Sequence, residues 1–121
     1  MMDLEKMTAL ALAEKIRQRQ ISVLDGVKTV FSAIEKKEPQ IHAYLDLYKK
    51  EAFARAKEVE KGIREGVYTG PLAGVPVAVK DNICVKGKKT TCASRILADF
   101  VPQYNAEVTN RMEKAGMILI G

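Results

Sequence analysis

Lys80 is the residue of this chain best placed to do chemistry. It follows Val75-Pro76-Val77-Ala78-Val79, a continuous apolar run of strand length, and precedes Asp81-Asn82. Open α/β sheets place ligand sites at the carboxyl ends of their strands. An amine held there loses part of its hydration. Desolvation disfavours the ammonium form, lowering a lysine-type pKa from about 10.4, and a neutral amine can serve as a general base near neutral pH. The same position also suits an inert lysine, whose stem packs on the sheet while its head reaches water or pairs with Asp81. Asp81 and Asn82 are expected either to hold the strand end and the Lys80 amine through short polar contacts or to do ordinary turn chemistry.

The remaining reactive residues are few. Cys84 and Cys92 fit no common zinc spacing, and the single histidine, His42, is far from both in sequence. Reduced, structural thiols are the expectation, with a disulfide or a reactive thiol as the alternative. The serines are Ser22, Ser32 and Ser94. Ser22 reads as a helix cap and Ser32 lies within a helical stretch. No Gly-x-x-x-x-Gly-Lys-Ser/Thr phosphate loop occurs. Lys plus Arg is 20 against 15 for Asp plus Glu, a net charge of +5. That balance permits an RNA partner without arguing for one, because the charges are interspersed. The densest basic stretch, Lys80, Lys86, Lys88, Lys89 and Arg95, reads as a solvated loop. Tyr44, Tyr48, Tyr68 and Tyr104 have no spacing that suggests base stacking and are expected in core or rim packing.

The elements that must position Lys80 can be read from periodicity. Thr8 caps a helix with Ala9, Leu12, Ala13 and Ile16 on one face. Ser22, with Asp25 in capping-box position, opens a second helix that buries Val27, Val30, Phe31 and Ile34. Glu38-Pro39 is expected to stop it. His42 to Leu47 is expected to form a short strand. A third helix follows, with Ala52, Ala56, Val59 and Ile63 inside and Lys49, Lys50, Glu51, Arg55, Lys57 and Glu58 wet. Gly62 and Gly66 weaken its end, and Tyr68 to Pro71 is a turn. Val75 to Val79 is expected to be a strand covered on both faces, with Pro76 at its start. Gly74 allows close packing before it. Residues 81 to 104 read as loop with a short helix over Ala93 to Leu97. Asn105 is expected to cap a last helix carrying Val108, Met112 and Ala115, closed by Gly116. Met117 to Ile120 is a second buried strand.

Strand, loop, helix and strand over 75 to 120 make a βαβ-like unit. The fold class is therefore α/β: N-terminal helices, then strands of a mixed, largely parallel sheet with flanking helices. The chain is read as one incomplete domain, mainly helical over 1–67 and strand-loop-helix-strand over 68–121. A chain ending just after a buried strand is expected to be cut rather than finished. Its uncovered strands are expected to make the isolated chain marginally stable or self-associating. No apolar run approaches the roughly 20 residues of a membrane span. The charged start, Met1 to Lys6, has no signal core, so a cytoplasmic location and no membrane partner are expected.

Gly70-Pro71-Leu72-Ala73-Gly74-Val75-Pro76-Val77-Ala78-Val79-Lys80-Asp81-Asn82 resembles the lysine-bearing segment of the amidase signature family. Lys86 to Leu97, Phe100 to Ala106 and Arg111 to Gly116 are similar to its aminoacyl-tRNA amidotransferase branch. The first helix and Ile41-His42-Ala43-Tyr44 are similar too, though less diagnostic. The resemblance covers essentially the whole chain. It implies a Ser–cis-Ser–Lys triad in which Lys80 takes a proton through a bridging serine while a second serine attacks the glutamine side-chain amide. Asp81, Asn82 and Ser94 would be supporting residues; Ser94 matches neither triad serine. The two serines and the glycine- and serine-rich oxyanion segment are not in this chain, so the chain by itself is expected to be inactive. The resemblance further implies a heterotrimer in which the glutaminase (A) component, to which this chain would belong, hydrolyses glutamine and passes ammonia to a B component, with a small C component wrapped around both. The B component would use ATP and Mg²⁺ on Glu-tRNA(Gln) or Asp-tRNA(Asn), so tRNA is met indirectly and no cofactor or metal is held by this chain. A stand-alone amidase and a non-catalytic scaffold remain open on the residues alone.

Overall fold

A computed structural model describes residues 3–121; Met1 and Met2, part of the charged start, lie outside the described residues. After a 3₁₀ turn at Leu4–Lys6 come α1 (Ala9–Arg17), α2 (Val23–Ile41) and α3 (Lys49–Arg64), then β1 (Pro76–Val77), α4 (Glu107–Lys114) and β2 (Ile118–Leu119). Among the described residues the sheet is the parallel pair β1–β2, with Pro76 opposite Ile118 and Val77 opposite Leu119. The α/β class and the crossover through α4 are as the sequence predicts.

The helices begin where side chains can satisfy their first N–H groups. Thr8 Oγ1 accepts from Ala11 N–H at 3.1 Å, and Ser22 Oγ accepts from Asp25 N–H at 2.9 Å. The first-turn donor at buried Val23 is met across the fold by Glu60 Oε1 at 3.1 Å, which ties the start of α2 to α3. The two helices pack through Val27 and Phe31 on one side and Ala52, Ala56 and Val59 on the other, all buried. Alanines at 52 and 56 let the backbones approach, and the Phe31 and Phe53 rings stack at 5.8 Å. Leu12 and Ile16 of α1 and Ile118 and Ile120 around β2 close the same core. Removal of this apolar area from water is the main favourable term of the fold.

Several expectations fail for identifiable reasons. Pro39 does not stop α2, which runs to Ile41. A proline in the last turn removes only one intrahelical donor, and the turn closes instead at His42 (φ 53°), whose N–H donates to Glu38 O at 2.9 Å. His42 to Leu47 is irregular and forms no strand, and Leu45 stays 80% exposed. Ala93 to Leu97 forms turns, not a helix. Asn105 does not cap α4. Ala106 holds that position, while Asn105 Oδ1 accepts Lys86 N–H at 2.7 Å and its amide reaches Asn110 and Glu113. The buried face of α4 is accordingly turned: Thr109 is inside, donating to Cys84 O at 2.9 Å, and Val108 is 47% exposed.

The strands are shorter and less covered than expected. Val75 is buried but Ala78 and Lys80 are exposed. The backbone pairing nevertheless extends past the strands. Ile118 N–H donates to Val75 O (3.0 Å), Ile120 N–H to Val77 O (2.9 Å) and Val79 N–H to Gly121 O (2.8 Å). Tyr48 N–H donates to Ile120 O at 2.8 Å, so the segment before α3 runs along the other side of β2. Arg55, expected to be wet, instead lies half-buried over the Tyr68 ring and donates to Glu113 O at 2.7 Å, joining α3 to the end of α4.

Gly74 sits just before β1 with φ +84°, and a Cβ there would lie 2.9 Å from Val23 Cγ2. Its N–H donates to Gly116 O at 2.9 Å, holding the strand start against the α4–β2 turn. Gly74→Ala is predicted to destabilise the chain by about 2–5 kcal/mol, the sum of a left-handed penalty and overpacking. Urea denaturation measures it, and a loss below about 0.5 kcal/mol, the size of an indifferent surface change, would contradict this packing.

Candidate active site

The pairing of residues 75–79 with 118–121 delivers Lys80 to the edge of a cleft of about 700 Å³. Its floor is Ala78, Val79 and Gly121, and its walls carry Tyr44, Asp46 and Tyr48 from the α2–α3 connection. Asp81, Lys89 and Thr91 come from the loop beyond Lys80. Lys80 itself is exposed. Among the described residues it takes part in no ion pair.

Asp81 explains why its neighbour is left alone. Its Oδ1 accepts Thr91 N–H at 2.9 Å and its Oδ2 accepts the Thr91 hydroxyl. The Asp81 carbonyl accepts Cys92 N–H at 2.9 Å. The Thr91 hydroxyl, helped by the Thr91 N–H, holds the Asp81 carboxyl below the usual carboxylate range. Its charge is thus directed into the loop and away from the Lys80 amine.

The loop that receives Asp81 is conformationally unusual. Cys92 (φ 51°) and Ala93 (φ 57°) are adjacent non-glycine residues in the left-handed region. Such residues cost about 1 kcal/mol or more each and persist where contacts over-determine them. Here the contacts are those to Asp81, together with Ser94 N–H donating to Thr91 O at 2.8 Å. Ser94 is half-buried in this turn and Asn82 is exposed; neither lines the cleft.

The opposite wall is aromatic. Burial pushes the Tyr48 phenol up, with Asp46, Asp81 and Glu51 pushing the same way; burial and Glu38 do so for Tyr44. Both therefore stay protonated at neutral pH and offer neutral donors. Lys88 lies 4.6 Å from the Tyr48 ring centroid and pairs with Glu51 at 2.6 Å. Cys84 is half-buried and Cys92 exposed, both as free thiols, so Cys92 is not a core residue. Among the described residues no cluster of three metal-ligating side chains occurs, and no helix is long and apolar enough to cross a membrane.

Of the sequence-predicted residues, the structure brings Lys80 and Asp81 to the cleft and leaves Asn82 and Ser94 beside it. Sequence reasoning missed Thr91, Tyr48 and Lys89. Thr91 lies ten positions from Asp81 in an irregular loop, and no periodic signal links the two.

The fold is that of a known family. The chain belongs to the amidase family, whose model matches residues 25–121. The glutamyl-tRNA(Gln) amidotransferase A subunit of Lachnoclostridium phytofermentans is 50% identical to it, an alignment spanning 99% of this chain and 24% of that protein. A solved bacterial aryl acylamidase of the amidase signature family superposes with a TM-score of 0.84 at 27% identity, covering 95% of this chain and 24% of that one. A chain from a vestigial protein complex tied to the origins of an s-triazine catabolic enzyme gives 0.87 at 26% identity, covering 95% and 25%. The chain thus spans about a quarter of the length of these relatives.

The lowered Asp81 pKa has a definite sign. Its stabilisation of the Thr91–Ala93 turn is fully present above the ordinary aspartate value of about 3.9. It is lost as pH falls through the lower native value. Amide resonances of Thr91 and Ala93 are predicted to shift together in that acid window, and to lose the transition in Asp81→Asn. A transition centred above pH 4, or one unchanged in Asp81→Asn, would contradict the assignment.

Proposed function

We propose that this chain is the lysine-bearing segment of the glutamine-hydrolysing component of a tRNA-dependent amidotransferase. The observation that carries the reading is Lys80 at the carboxyl end of a paired parallel strand, open to a cleft, with the neighbouring carboxylate fixed elsewhere. The 50% identity to the Lachnoclostridium phytofermentans protein supports this branch of the family.

In this reading a serine from the rest of the enzyme attacks the glutamine side-chain amide. Lys80 accepts the proton through a bridging serine and returns it to the leaving ammonia. Water then releases glutamate from the acyl-enzyme. Asp81 serves as the residue that shapes the loop, with Asn82 and Ser94 supporting the turns on either side. The ammonia would be used by a B component that activates Glu-tRNA(Gln) or Asp-tRNA(Asn) with ATP and Mg²⁺, with a C component completing a cytoplasmic heterotrimer. The chain without its partners would self-associate through its uncovered strand edge and apolar cleft. A stand-alone amidase for small amides is the second reading, favoured by the aryl acylamidase superposition; its lower identity, 27% against 50%, ranks it behind.

The 121-residue chain alone is predicted to release no ammonia from glutamine. A hybrid in which it replaces the matching quarter of the Lachnoclostridium phytofermentans protein, assembled with that protein's partners, is predicted to be active and to be stimulated by the misacylated tRNA. In this hybrid Lys80→Arg and Lys80→Ala should each lower turnover by roughly 10²–10⁴-fold, the usual value of a general base, with glutamine binding less affected. A guanidinium cannot give up its proton, so substantial activity in Lys80→Arg would remove Lys80 from the mechanism.

A further inference from the structure

We propose that Thr91 is a positioning residue for Lys80, capturing the Asp81 carboxylate and so keeping the nearest acid off the Lys80 amine. The residues are adjacent in the chain and line the same cleft, so an unheld Asp81 side chain has the Lys80 ammonium as an immediate partner. In the structure that partnership is pre-empted. Thr91 supplies two donors to the carboxylate, its N–H at 2.9 Å and its hydroxyl. The hydroxyl is the one that a substitution can remove, because the N–H belongs to the backbone.

The neighbouring backbone makes the capture specific. With Cys92 and Ala93 at φ 51° and 57°, the loop turns two successive N–H groups toward Asp81: Thr91 to its carboxylate and Cys92 to its carbonyl, each at 2.9 Å. Both the carboxylate and the carbonyl of Asp81 are therefore held by the same turn. The left-handed pair is therefore the conformational cost of holding Asp81, which gives the strain a purpose at the site where it occurs.

The other charged and titratable groups facing the cleft do not take over this role. Asp46 accepts Leu47 N–H at 2.9 Å, and Lys89 lies 3.3 Å from Asp99. Tyr44 and Tyr48 are neutral phenols. At the rim, Lys88 and Glu51 are paired with each other. Asp81 is thus the acid whose release would change the state of Lys80. An ammonium paired with a carboxylate holds its proton, and a base must start without one. For this consequence the inference rests on the proposed base role of Lys80; its geometry does not.

The test uses the 121-residue chain and does not need activity. Only unprotonated amines are acetylated by acetic anhydride, so at pH 8 the labelling of Lys80, read by peptide mass spectrometry against the exposed Lys28, reports whether its amine is free. Thr91→Val is expected to slow Lys80 labelling about twofold to fivefold, the size of an exposed ion pair. Thr91→Ser should restore the original rate, and so should adding Asp81→Asn to Thr91→Val. If Thr91→Val perturbs the fold, Thr91→Ala carries the same expectation without the bulk. An unchanged rate in the Thr91 variants, or a slowing that survives Asp81→Asn, would overturn the proposal. Lys80→Arg in the hybrid enzyme judges the base role separately, so a failure of either idea can be assigned.

Discussion

The parallel pairing of residues 75–79 with 118–121 is the constraint on which the rest depends. It is short, yet it sets three things together. It fixes where Lys80 emerges, because Val79 N–H is tied to Gly121 O one residue earlier. It buries Ile118 and Ile120 against α1, α2 and α3, so the helical half and the strand half share one core. It also requires a crossover, since parallel neighbours cannot be joined by a tight turn, and α4 with its long preceding loop supplies it. That loop brings Thr91 back beside Asp81. Site and fold are therefore consequences of one register.

Within that frame the electrostatics of the cleft follow from which groups are already engaged. An isolated Lys-Asp dipeptide at a strand end would be read as an ion pair. Here the carboxylate has better partners: donors from a rigid turn, one of them a hydroxyl that needs no charge. Hydrogen bonds to an ionised acceptor are stronger than neutral ones, whereas an exposed ion pair gains little. Asp81 accordingly settles on the loop, and the amine stays open to the cleft.

Much of the fold is legible from the sequence because its signals are local. Thr8 and Ser22 cap helices where they should, the apolar faces of α1 to α3 are close to those predicted, Gly74 packs closely before its strand, and Gly116 takes the left-handed position after α4. The errors lie where tertiary partners decide. Pro39 sits too near its helix end to break it. His42 to Leu47 has the composition of a strand but forms no regular ladder. Asn105 finds Lys86, Asn110 and Glu113 in place of the helix start it could have capped. The site divides in the same way. Lys80 could be argued from strand-end chemistry, while the capture of Asp81 by Thr91 and the place of Tyr48 could not, because loop closure over ten and more residues leaves no periodic trace.

The central claim is that this register, extended to Val79, positions Lys80. Residue-resolved amide hydrogen exchange of the chain tests it most directly. The account predicts that Val79, Ile118 and Ile120 are protected as a group, to an extent comparable with the buried amide of Val27 in α2. Exchange of Val79 and Ile118 as fast as that of Ile96, which stands 94% exposed in the loop, would contradict it.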